Sequence, residues 1–248
     1  QFDFNDLTQV VGGSVVNWEW RVDGSPVSAD QNVDDYQFAD WGVYEIQLFA
    51  VSNEACTDSL SQLIEVYAMP NPDFDVEDYC ADVNAGLTNL SSIENGSINQ
   101  FIWDAGDGSV NQNQLIFNHM YSSPGLYTVT LTASSDQGCE ESISQEIEVF
   151  ATPEIQIGQD AFADCGLAQV NFEDFSTAAG SDIVSWQWTM NGELISGLPT
   201  AIFNPDEPGS YDIELLVSSA EGCLADTVIT DAFEVYPRRL HRFKLGRE

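Results

Sequence analysis

Apolar and polar residues alternate along short stretches of the chain, and no stretch sustains a helical rhythm with caps. Tyr127, Val129, Leu131 and Ala133 stand opposite Thr128, Thr130 and Thr132, the period of two that a half-buried strand requires. Tyr44, Ile46 and Leu48 repeat the pattern, as do Tyr211, Ile213 and Leu215. "IEVY", "IEVF" and "FEVY" read as closing strands, each followed within a few residues by proline. Short strands separated by Gly, Asn, Asp and Pro turns predict an all-β protein built from antiparallel sandwiches.

The strands recur in register. "GVYEIQLFAVSNEAC" (42–56), "GLYTVTLTASSDQGC" (125–139) and "GSYDIELLVSSAEGC" (209–223) align, with Gly42, Gly125 and Gly209 spaced 83 and 84 residues apart. "VNWEW", "NQFIW" and "VSWQW" align upstream on Trp20, Trp103 and Trp188, and "FNDLT", "LTNLS" and "FEDFS" align further upstream. A period near 83 held at so many positions marks tandem modules. Boundaries are expected at "AMPNP" (68–72) and "ATP" (151–153), giving modules at 1–67, 68–150 and 151–237, then a basic segment at 238–248. Short Pro-containing linkers predict three sandwiches end to end, a rod roughly 100 Å or more long.

Charge narrows the partners. The chain carries −35, and Arg21 is the only Lys or Arg in residues 1–237. Such a body repels nucleic acid and anionic membranes. No apolar run reaches the 18 residues of a spanning helix, so membrane insertion is not expected. With 11% aromatics the acidity does not read as disorder. It suits a salty or calcium-bearing medium that screens self-repulsion. The tail "RRLHRFKLGRE" carries +4 against −39 for the rest. It begins another segment, docks on an acidic surface, or is foreign sequence. The start in "QFDFNDLTQVV", without Met, is read as that of a processed product or fragment.

"WDAGDGS" followed by "HMYSSPGLYTVTLTA" resembles the signature of the PKD (polycystic kidney disease) domain, at Trp103, Asp104, Gly106, Asp107, Gly108, Ser109, His119, Tyr121, Gly125, Tyr127, Val129 and Leu131. It departs at Ala105, where the family prefers an aromatic. Repeats one and three keep the Trp and the G-x-Y strand but carry "RVDGS" and "TMNGE" at the turn, and Tyr36 and Phe203 replace the histidine. They are PKD-like or Ig-like. Such repeats resemble those of large secreted Bacteroidetes surface adhesins exported by type IX secretion. That resemblance implies spacing and attachment rather than catalysis, and an extracellular or cell-surface location. It also implies partners among neighbouring repeats, a homo-oligomeric fibre, or an extracellular polymer. PKD modules occur beside the catalytic domains of secreted hydrolases as well, and an accessory polymer-binding role is the alternative.

Cys80 and Cys165 each stand seven residues before the first-strand position of their repeat. The expected pairs are Cys80–Cys139 and Cys165–Cys223, one bridge inside each module, with the partner of Cys56 four residues upstream of Gln1, so that the first module is truncated at its N-terminus. Bridges place the chain in an oxidising compartment. No CxxC or Cys/His spacing points to zinc.

Candidate sites are few. His119 and His241 are the only histidines, and no nucleophile motif accompanies them, so no enzyme activity is expected. Tyr44, Tyr127 and Tyr211 suit a tyrosine corner, and five tryptophans (18, 20, 103, 186 and 188) are assigned to the core. Trp41 takes the turn position held by Pro124 and Pro208, which makes it a candidate binding aromatic. The fold requires no cofactor. Calcium needs six to eight oxygens. Asp104 and Asp107 are the candidate ligands, and Asp73, Asp75, Glu77 and Asp78 add oxygen near a module junction.

Overall fold

The computed structural model describes residues 1–160, 163–165 (backbone only) and 169–237. Among these residues every regular element is a strand. The basic tail 238–248, with its three readings, lies outside the described residues.

The chain forms two compact units, one of residues 1–75, 87–117 and 129–145, the other of 76–86, 118–128 and 146–248; each takes part of the middle repeat. In the first unit a four-stranded sheet runs Ser25–Ser28, Val15–Val22, Gly42–Ser52, Thr57–Val66. Facing residues such as Trp20 and Leu48, or Val22 and Ile46, are cross-strand partners. A second sheet pairs Phe2–Phe4 with Val33–Tyr36. Between them Phe4, Trp20, Val22, Ile46 and Leu48 form a core to which Phe2, Tyr36, Phe38 and Tyr44 add aromatic area. The strand Ile98–Asp104 of the middle repeat pairs with the Tyr strand in the same way, Trp103 opposite Leu131. Phe74 meets the Trp103 ring edge-on at 5.3 Å.

In the second unit the sheet order is Ala163–Cys165, Leu224–Tyr236, Gly209–Ser219, Ile183–Met190, Glu193–Ser196. Against it stands Ile157–Gln159, Val170–Asp174, Thr200–Phe203. Phe172, Trp188, Ile213, Leu215 and Phe233 fill the space between, all essentially inaccessible. The alternation read from "YDIELLV" is what delivers Ile213, Leu215 and Val217 to this core, because successive side chains on a strand face opposite ways.

Each repeat turns the same corner. Gly42, Gly125 and Gly209 hold φ of 153°, 153° and 157°, a region that residues with a Cβ avoid. Two residues later the tyrosine hydroxyl donates back across the turn: Tyr44 to the Asp40 carbonyl at 2.9 Å, Tyr127 to Ser123 at 2.9 Å and Tyr211 to Glu207 at 2.7 Å. The Trp indoles repeat a second contact. Nε1 of Trp20, Trp103 and Trp188 donates to the backbone carbonyls of Gln31, Gln114 and Leu198 at 3.3, 3.0 and 3.0 Å. A buried tryptophan needs such an acceptor.

Two short strands appear in places the alternation did not reveal. Tyr79–Cys80 lies parallel to the end of Glu140–Phe150, with Cys80 opposite Phe150. Ala163–Cys165 lies parallel to the end of Leu224–Tyr236, with Cys165 opposite Tyr236. These head strands are two or three residues long, too short to show a period.

Candidate functional site

The head strands decide the disulfide chemistry. Cys139 directly precedes the strand Glu140–Phe150, whereas Cys80 sits against the other end of that strand. Eleven residues at about 3.3 Å each put these cysteines about 36 Å apart along the strand, far beyond the reach of one bridge. Cys80 is bonded instead to Cys223, at a Cα–Cα distance of 5.6 Å and a sequence separation of 143. Both expected pairs, Cys80–Cys139 and Cys165–Cys223, are thereby corrected. The bridge joins repeat two to repeat three rather than closing either. Cys139 is free and partly exposed, and Cys56 is free and exposed. The side chain of Cys165 lies outside the described residues.

The three hairpin cysteines share one backbone geometry. Ser52, Ser135 and Ser219 donate their N–H to the carbonyls of Cys56, Cys139 and Cys223 at 2.8, 2.8 and 2.9 Å. Each cysteine N–H returns a bond to the serine Oγ, at 3.2, 3.1 and 3.2 Å. The S-x-x-x-C spacing is the sequence signal for this turn, in which a serine hydroxyl caps a backbone N–H.

A second repeated device escaped the sequence reading. The Trp18 indole donates to Asp6 at 2.7 Å, and the Trp186 indole to Asp174 at 2.6 Å. Trp18 and Trp186 are therefore half-buried anchors, not fully enclosed core residues. In the middle repeat the pair is Phe101 and Asn89, and the buried Asn89 amide nitrogen has no partner. The other carboxylate oxygen of Asp6 and of Asp174, and the single amide oxygen of Asn89, accept from the backbone N–H two residues on, of Thr8, Ser176 and Ser91 respectively. Burial pushes the Asp6 carboxyl up, but the bonds from Thr8, Trp18 and Gln31 outweigh it and hold its pKa below the ordinary value. Aligning "FNDLT", "LTNLS" and "FEDFS" against the Trp strands contained the signal, because the acid and the indole change together.

The candidate calcium ligands are engaged by their own turn. Asp104 Oδ1 accepts from the Gly106 N–H and Asp107 Oδ1 from the Ser109 N–H, both at 2.9 Å. Gly106 and Gly108 supply φ of 81° and 95°. At the equivalent place repeats one and three turn in two residues, Asp23-Gly24 and Asn191-Gly192, all four at positive φ, the hairpin preference for Asn-Gly and Asp-Gly. Among the described residues no group of three or more His, Cys, Asp or Glu is placed to hold a metal ion. His119 stacks edge-on against Tyr121 at 4.5 Å.

Trp41 is 41% exposed, and its indole N–H donates to Glu94 at 2.8 Å. The polar end of the side chain is therefore already held. Arg21 pairs with Glu19 at 2.8 Å and lies 4.7 Å from the Phe49 ring centroid. Surface cavities open among the described residues. One of about 690 Å³ lies beside Thr57–Val66 and reaches Phe2, Phe4, Trp20 and Leu48. Another of about 430 Å³ is bounded by Phe172, Phe175, Ile202 and Asp160. Asp160 accepts two bonds from Asn171, which lower its pKa. Neither cavity is lined by a histidine or a cysteine. Among the described residues no helix is long and apolar enough to cross a membrane.

Residues 69–151 match the family model for the PKD domain. The pre-pro-metalloprotease PrtV of Vibrio cholerae is 29% identical over 143 residues, which covers 57% of this chain and 15% of that protein. The match thus spans about one-seventh of the relative's length. Among solved structures, the PKD1 domain of Vibrio anguillarum Epp is 25% identical, covering 33% of this chain and 93% of that domain at a TM-score of 0.30. The PKD1 domain of PrtV is 27% identical, covering 34% and 98% at 0.29. The chain is a tandem of β-sandwich repeats, and the middle repeat carries the PKD match.

Proposed function

We propose that this chain is a non-enzymatic, extracellular spacer: a run of repeats from the stalk of a bacterial surface adhesin or filament. The observation that supports it most is the bond between Cys80 and Cys223. A covalent link between successive repeats transmits tension past the folded strands, which is what a stalk requires and what an isolated domain does not. The bridge also fits an oxidising location outside the cytoplasm. The three tyrosine corners fit a structural repeat in the same way, since the shared features all serve packing. Neighbouring repeats, a homo-oligomeric fibre and a cell surface are the partners this role implies.

A second reading has its own support. The similarity to the pre-pro-metalloprotease PrtV over 143 residues favours an accessory module that binds a polymer beside a catalytic domain. Trp41 would then be the contact, offering an indole face to a sugar ring or a peptide. Retention on chitin, cellulose and collagen separates the two. The stalk reading expects the chain to elute with an unrelated acidic control, and Trp41→Ala to change nothing. Retention that disappears in Trp41→Ala would establish the accessory module instead.

A further inference from the structure

Two Asn-Gly pairs occur in the chain, Asn95-Gly96 and Asn191-Gly192, and the fold treats them differently. Asn191 is held in place. Its Oδ1 accepts from the Asp212 N–H at 2.8 Å, and its own N–H donates to the Asp212 carbonyl at 2.9 Å. Asn95 is exposed, in the connection between Ser92–Ile93 and Ile98–Asp104, and no such bond holds its side chain among the described residues. Gly96 follows with a φ of 94°, and a Cβ there would lie 3.1 Å from Asp136 Oδ1. The same connection fastens repeat two to repeat one. Ser92–Ile93 pairs with Pro70–Asn71, and Glu94, the residue before Asn95, accepts from the Trp41 indole at 2.8 Å.

We propose that Asn95 is a site of self-modification: its side-chain amide is lost to attack by the Gly96 backbone nitrogen, and the product releases Glu94 from Trp41. The Gly96 N–H gives its proton to hydroxide, and the nitrogen bonds to Asn95 Cγ. The Cγ–Nδ2 bond then breaks and ammonia leaves, closing a succinimide ring. Water opens the ring at either carbonyl, giving aspartate or its β-linked isomer. The balance is one water consumed and one ammonia released, with no change of oxidation state. The step favours glycine as the following residue, because without a Cβ it leaves the attacking nitrogen uncrowded and its backbone free to turn. Asn191 has the same neighbour, but its two bonds to Asp212 oppose the rotation that brings Cγ to the nitrogen. In the β-linked product the main chain runs through Cβ and Cγ and is longer there by about 1.5 Å. A 2.8 Å contact made by the adjacent residue does not survive a shift of that size. The proposal holds whichever function the repeats serve.

The test ages the whole oxidised chain at mildly alkaline pH and maps its peptides, with fragmentation that separates the β-linked isomer from aspartate. Conversion is expected at Asn95, faster as pH rises, while Asn191 is still an amide. In proton–nitrogen correlation spectra the Trp41 indole signal, identified by its loss in Trp41→Phe, is expected to move to a new position in proportion to the β-linked fraction. Asn95→Gln keeps an amide but closes the larger ring slowly, and is expected to abolish both changes; its spectrum before ageing shows that it folds. Asn95→Asp, recorded fresh, supplies the charge without the longer main chain and is expected to leave the indole signal in place. Conversion of Asn191 before Asn95, or an Asn95 still intact once other amides have reacted, overturns the modification site. A Trp41 signal that stays put in the converted protein, or that moves equally in Asn95→Asp, overturns the release of Glu94.

Discussion

Tension applied to the two ends of this chain enters at Gln1, reaches Cys80, and crosses the bridge to Cys223 without passing through the residues between them. The 143 residues of the loop then carry no load, whatever their folded state. Fully extended they span about 490 Å, at about 3.4 Å per residue. In a single-molecule pulling experiment the oxidised chain is therefore expected to fall short of the reduced chain by about 490 Å of contour length. A reducing agent added under constant force should release that length in one step, or in one step followed by unfolding of the freed repeats. The measurement also discriminates between pairings. Bridges inside the repeats, Cys80–Cys139 and Cys165–Cys223, would hide about 200 Å each and release it in two separate events. Equal contour lengths in the two redox states would show that no such bridge forms, and the spacer reading would lose its main support. At equilibrium the same bridge removes loop entropy from the unfolded chain worth about 5 kcal/mol in the chain-entropy model. Cys80→Ser is expected to lower the denaturation midpoint accordingly, with measured losses often smaller than this figure.

Other expectations follow from individual contacts. Tyr211→Phe should cost about 1 kcal/mol in urea unfolding, and Tyr44→Phe and Tyr127→Phe less, because those hydroxyls are more exposed and water replaces the lost bond. Equal losses at all three would argue against burial as the cause. Giving the middle repeat the indole–carboxylate pair, by Phe101→Trp with Asn89→Asp, should show favourable coupling of at least about 0.5 kcal/mol in a double-mutant cycle; strict additivity would refute it. Asp6 has a lowered pKa in the folded chain, so its contribution is fully present above the unfolded carboxylate value near 3.9 and is lost as pH falls through the folded value. Trp18→Phe should therefore destabilise at neutral pH and progressively less in acid, as read from thermal midpoints across that range. Calcium at millimolar level should raise the melting temperature no more than sodium chloride of matched ionic strength, since the Asp104 and Asp107 carboxylates already serve their turn; a calcium-specific rise would restore a metal site.

The strands, the corners and the core were legible because each rests on local chemistry that repeats. Period-two alternation delivers Ile213, Leu215 and Val217 to one face, and the G-x-Y spacing delivers three hydroxyl-to-carbonyl bonds. The head strands were not legible. Tyr79–Cys80 is two residues long, and its pairing is parallel to a strand about 70 residues later, so neither period nor turn chemistry announces it. The Trp18–Asp6 and Trp186–Asp174 bonds were legible only by comparing repeats, because an aspartate twelve residues before a tryptophan carries no local pattern.

The cysteine pairing was hidden for a deeper reason. A tandem repeat identifies which cysteines are equivalent, but it is unchanged by a shift of one period. Bonding Cys80 to Cys139 and bonding it to Cys223 differ by one such shift, so both respect the repeat equally. Choosing between them requires knowing which end of the sandwich each cysteine occupies. That is set by the head strand lying against Phe150 while the hairpin lies before Glu140. Once the ends are assigned, a bond within one repeat must span the whole strand, and a bond to the next repeat need span only 5.6 Å between Cα atoms. The head-strand geometry thus joins repeats two and three covalently.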